Sequence, residues 1–160
     1  MIPLSGGVSS DIWRVELGQQ IVCVKRALPQ LKVSALWEAP IERNQYEWEW
    51  LQIAGAIEPT AAPALIARDL ETGCFVMEYL DTQNYPVWKN QLRDGITDPN
   101  TAKAVGQRLA SIHAATAGQD DIRNRFPTDH IFHAIRIEPY LLETARRHED
   151  LATDIRQIVN

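Results

Sequence analysis

Cysteine is scarce in this sequence: Cys23 and Cys74 are the two among 160 residues. Two cysteines cannot build a disulfide framework, and their separation fits no metal-binding spacing. Buried, reduced thiols of a cytoplasmic protein are the expectation. Long apolar runs are lacking too. None approaches the roughly 20 residues a membrane-spanning helix needs, so no membrane partner is expected. The opening "MIPLSGG" lacks the basic-then-apolar pattern of a secretory leader, which argues against export. Basic residues are outnumbered, 16 Lys and Arg against 21 Asp and Glu, and form no cluster. Nucleic acid is therefore not an expected partner. Repeats and low-complexity linkers are also absent, which leaves one domain with a real core, or part of a larger one.

What is present begins with strands. "DIWRVEL" (11 to 17) alternates apolar and polar residues, "GQQ" is a turn, and "IVCVK" reads as the next strand. With the first residues these give a three-stranded antiparallel meander. Residues 31 to 39 show no period. "APIERNQYEWEWLQIAG" has Pro40 near a helix start and Gly55 just past its expected end. "YEWEW" alternates like a strand, but Tyr46, Trp50 and Ile53 share a helical face, and helix is the reading adopted. "ALIARD" and "CFVMEYL" are strands about a turn at Gly73, so residues 1 to 80 read β-β-β-α-β-β.

Helices follow Asp81. "NYPVWKNQLRDG" is short and helical. "DPNTAKAVGQRLASIHAATAG" offers Asp98 as N-cap and Pro99 in the first turn, with Ala102, Val105, Leu109 and Ile112 as an apolar stripe and Gly118 as its stop. From about Glu138 a last helix places Leu141, Leu142, Ala145, Leu151, Ile155 and Ile158 mostly on one face, with a break near His148.

Three stretches could carry chemistry. A hairpin over phosphates brings backbone N–H groups to a polyanion and tolerates only small residues at its tip. "SGGVSSDIW" meets that demand with Ser5, Gly6, Gly7, Ser9 and Ser10 around Val8; against the pattern G-x-G-x-x-G-x-V, Gly7 matches the middle glycine and Ile12 the valine. Lys25 closes an apolar strand, where its charge needs an opposite one. Glu47 on the following helix is the candidate partner, with Glu42 and Glu49 as rivals that no sequence rule excludes. "FVMEYLD" could offer backbone at Glu78 and Leu80 to a base edge, with Met77 behind it.

The order of these parts, from "LSGGVSSDIWRV" through "IVCVKRA", "RNQYEWEWL" and "FVMEYLD" to "GQRLASIHAAT", resembles the front half of the aminoglycoside phosphotransferase and choline kinase superfamily, relatives of the protein kinases. The resemblance covers nearly all of the chain. It implies an α+β fold: a kinase-like N-lobe with an antiparallel sheet and one helix over 1–80, then a hinge and the start of a helical C-lobe over 81–160. It also implies an ATP-dependent phosphotransferase acting on a hydroxyl of a small molecule. Its nucleotide roles fall on the Gly6–Gly7 loop over the phosphates, Lys25 on the phosphates, Glu47 orienting Lys25, and the backbone of Glu78 and Leu80 at adenine. In this family Ile112–His113 corresponds to a packing feature, so His113 is read as structural.

The pattern then stops. The family's catalytic loop resembles H-G-D-x-x-x-x-N, and a later aspartate binds a second metal. Only "HEDLATDI" (148 to 155) keeps an aspartate two residues after a histidine, and it has Glu149 for the glycine and Ile155 for the asparagine. That segment is an amphipathic helix. The expectation is a chain that ends upstream of its active site, inactive by itself, with magnesium required only in a longer protein. Helices 98 to 117 and 138 to 159 would then expose apolar faces and drive self-association. The alternative is a half-kinase that acts as a non-catalytic nucleotide-binding or interaction module. A third reading makes the hairpin and lysine purely structural. The acceptor is not legible, because its pocket belongs largely to the C-terminal lobe.

Overall fold

The computed structural model describes residues 1–4 and 7–159. The fold is mixed α+β. Strands β1 (Ile2–Pro3), β2 (Ser10–Leu17), β3 (Gln20–Ala27), β4 (Leu65–Asp69) and β5 (Cys74–Glu78) form an antiparallel sheet in the order β1-β2-β3-β5-β4. The meander expected at the start is present. Leu17 pairs with Gln20 across a two-residue loop, and Gly18 takes φ +61°, a backbone that side-chain-bearing residues rarely adopt. Gly73 does the same before β5, with Ile41 packed against it.

Helix α1 (Arg43–Ile57) packs against β3, β4 and β5 of the sheet. The expected stop at Gly55 is corrected: Gly55 sits inside the helix, which runs on until the Glu58 N–H bonds Ala54 O and Pro59 prevents another turn. The alternation in "YEWEW" has a tertiary cause. Trp48 turns inward and meets Phe75 edge-on at 5.7 Å, and Phe75 is 1% exposed at the centre of the core. Tyr46 and Trp50 lie on another face and both contact Phe126, at 6.0 and 5.9 Å. One helix thus serves two partners, the sheet and the helical half.

The helical half contains α2 (Trp88–Arg93), α3 (Pro99–Thr116), α4 (Asp120–Arg125), α5 (Asp129–Phe132), a π-helical turn (His133–Leu142), α6 (Glu143–Arg147) and α7 (Ala152–Val159). The start of α3 is as expected, Asp98 Oδ1 accepting from the Asn100 N–H at 2.9 Å; Gly118 follows at φ +70°. Ile112 of the apolar stripe is buried, whereas Leu109 is 50% exposed. His113 is exposed, so the packing falls to Ile112 and not to the histidine.

The last helical region begins earlier than Glu138. Ile131 is buried and α5 runs directly into the π-helical turn. The break near His148 is present, separating α6 from α7. Pro139 sits inside the π-helical turn. There, each N–H reaches the carbonyl five residues back, as Glu143 does to Glu138. Pro139 has no N–H, so it can give nothing to Ala134 O. The Trp37 indole supplies that donor, Nε1 to Ala134 O at 3.0 Å, while its ring meets Tyr140 edge-on at 5.8 Å. The aperiodic segment 31–39 is therefore a clasp onto the helical half.

Candidate functional site

Lys25 and Glu47 form an ion pair, with side chains 18% and 40% exposed. The three acids left open by the sequence are separated by what surrounds them. Glu42 meets His130 Nε2 at 2.7 Å on the helical half, and Glu49 faces Arg68 at 3.8 Å and Arg125 at 3.9 Å. Glu47 alone of the three meets Lys25, because position 47 lies one turn past Asn44, whose side chain anchors the helix to the sheet. Asn44 is buried and donates to Gly73 O, and at 3.5 Å to Lys25 O itself.

Strand register sets what shares a face with Lys25. It stands opposite Ile12 on β2 and Phe75 on β5; Cys23, two residues earlier and so on the same side, stands opposite Met77. Ile12, Cys23 and Met77 thereby border the lysine with apolar surface. Cys23 went unremarked as a site residue in the sequence, although its parity with Lys25 was the available signal. It is buried, and burial pushes its thiol above the usual range, against the pull of Lys25.

The first loop leads into the same region. Ser5 and Gly6 lie outside the described residues. Gly7 is exposed, Ser9 is partly buried, and Ser10 is buried at the start of β2 opposite Ala27. Val8 O accepts from the Lys32 N–H at 2.8 Å, and Ser9 O from the Leu28 N–H at 3.0 Å. Arg43 also donates to Ser9 O. At the far edge, Glu78 ends β5 and gives its N–H to Ala64 O at 2.8 Å. Tyr79 stacks on the Arg14 guanidinium, and Leu80 is exposed.

Two cavities lie elsewhere. One of about 80 Å³ sits behind α1 among Asn44, Trp48, Arg68 and Phe75. A groove of about 930 Å³ runs between residues 33–38 and the helices from His133 to His148. Neither is lined by Lys25 or Glu47. Among the described residues no three His, Cys, Asp or Glu side chains come together as a metal site. His148, Glu149 and Asp150 are exposed at the break before α7. The chain matches no protein-family model and no curated protein.

Proposed function

We propose that this chain binds ATP on the sheet face carrying Lys25, as the nucleotide-positioning part of a phosphotransferase of the aminoglycoside phosphotransferase and choline kinase type, with a kinase-like N-lobe over residues 1–80. The observation that carries the reading is the Lys25–Glu47 pair. A lysine ammonium has three N–H donors, and one carboxylate oxygen leaves others for phosphate. Glu47 keeps the ammonium charge compensated until an anion arrives. The loop leading into β2 ends at Ser10, two residues before the Ile12 that pairs with Lys25, or about 7 Å along the strand. Gly7–Ser9 backbone is thus within reach of the same phosphates. Ile12, Cys23 and Met77 give the base an apolar wall, with Glu78 C=O and the Leu80 backbone at its edge.

The residues present do not fit a resident magnesium: no ligand cluster occurs among those described, and no H-G-D-x-x-x-x-N segment occurs in the sequence. No residue of the chain is assigned to metal binding or to proton abstraction. A second reading is a nucleotide-binding or interaction module without turnover. Both readings share the ATP site; a small-molecule acceptor enters only with the first. ATP titrated into isotope-labelled protein should shift the backbone amide resonances of Gly7, Ser9, Lys25 and Leu80 saturably, leaving α7 unmoved. Shifts confined to α7, or none, would contradict the site.

A further inference from the structure

Arg43 opens α1, and its guanidinium donates to carbonyls on three separate segments. These are Ala39 O at 3.0 Å and Pro40 O at 2.6 Å ahead of the helix, Leu28 O at 2.7 Å beyond β3, and Ser9 O at 2.5 Å at the end of the first loop. The group is part-buried. Burial lowers its pKa, and the charge of Glu47, one turn along the same helix face, works against that shift. A cation wrapped in carbonyls stays charged and rigid, because the planar fork meets several acceptors at once.

The bonds at Ser9 have a directional consequence. A trans peptide points its N–H opposite its C=O. With Val8 O held by the Lys32 N–H and Ser9 O held by Leu28 N–H and Arg43, the N–H groups of Ser9 and Ser10 are turned the other way. Arg43 and Glu47 also share one rigid helix, so the loop and the lysine's partner cannot move independently.

We propose that Arg43 is a positioning residue for the nucleotide's phosphates: without touching the ligand, it fixes the direction of the loop N–H groups and couples the loop to the Glu47–Lys25 pair. The inference rests on the ATP reading above. It is tested in the full chain with Arg43→Lys, which keeps the charge but cannot span four carbonyls, and with Lys25→Ala as reference. ATP affinity, adenosine affinity and amide hydrogen exchange are measured together. Arg43→Lys should weaken ATP about tenfold, the effect of losing one good charged contact, and leave adenosine within about twofold. Exchange at the Leu28 and Lys32 amides should quicken while the amides inside β3 stay protected. If Arg43→Lys binds ATP like the wild type while Lys25→Ala does not, Arg43 has no such role and the ATP site stands. If ATP and adenosine weaken together and all of β3 exchanges faster, Arg43 is only structural. If the wild type binds no ATP, both readings fall.

Discussion

Replacing Trp37 by Phe removes one hydrogen-bond donor and keeps an aromatic ring beside Tyr140. In the wild type the indole N–H is the donor to Ala134 O, the carbonyl that Pro139 cannot serve. Leaving a buried carbonyl without a partner costs about 1–3 kcal/mol, and this contact is part-buried, so the lower half of that range applies. A loss of about 1–2 kcal/mol, against a urea dependence of about 2 kcal/mol per molar, lowers the unfolding midpoint by about 0.5–1 M. The second arm is Pro139→Ala, which restores an N–H five residues after Ala134. In that background Trp37→Phe should cost less by about 1 kcal/mol, because the carbonyl has found an internal donor. The smaller ring area of Phe is lost equally in both backgrounds and cancels. Urea unfolding of the four proteins, followed by far-UV circular dichroism, measures the cycle. Equal costs of Trp37→Phe in both backgrounds would refute the account of the clasp.

Three further outcomes follow from other parts of the molecule. Asp11 accepts from Lys32 and Arg26, and these bonds, Lys32 first, hold its carboxyl below the ordinary range. Its contribution is therefore complete above about pH 4 and lost as pH falls through the lowered value, since the unfolded chain takes up its proton first. Asp11→Asn should flatten the acid limb of a stability–pH curve below about pH 4, and parallel curves for the two proteins would count against the pairing. Burial raises both thiols, and Cys23 is the more enclosed, so iodoacetamide at neutral pH should modify Cys74 before Cys23 in the folded protein. Equal rates would show that Cys23 is open. Leu109 on α3, with Leu151 and Ile158 (79% exposed) at α7, should drive self-association, read as a concentration-dependent sedimentation coefficient; a constant monomer value would contradict it.

Local signals were legible where local physics decides the structure. Alternation placed β2 and β3, and the turn glycines Gly18 and Gly73 do adopt positive φ. Asp98, Pro99 and Gly118 marked both ends of α3 because capping depends on immediate neighbours. What was not legible depends on distant partners. The proline inside the π-helical turn is tolerated through a tryptophan whose indole bonds a carbonyl 97 residues further along the chain. Gly55 looked like a helix stop, yet nothing ended the helix before Pro59. At the candidate site, the lysine and its three possible acids were visible with Glu47 as the candidate, but what sets Glu47 and neither rival beside Lys25, the anchoring of α1 by Asn44, was not. Arg43 carried no signal at all, since its partners are backbone carbonyls, which every residue has.

The central claim is that Lys25 and its helix partner form a nucleotide site. Calorimetric titration of ATP into the wild-type chain and into Lys25→Ala, with matching circular dichroism spectra for the two, tests it most directly. The account predicts saturable one-site binding by the wild type and a loss of at least about tenfold in Lys25→Ala. Absence of binding in the wild type, or equal affinity in the two proteins, would contradict it and leave Lys25–Glu47 as an ion pair of the fold.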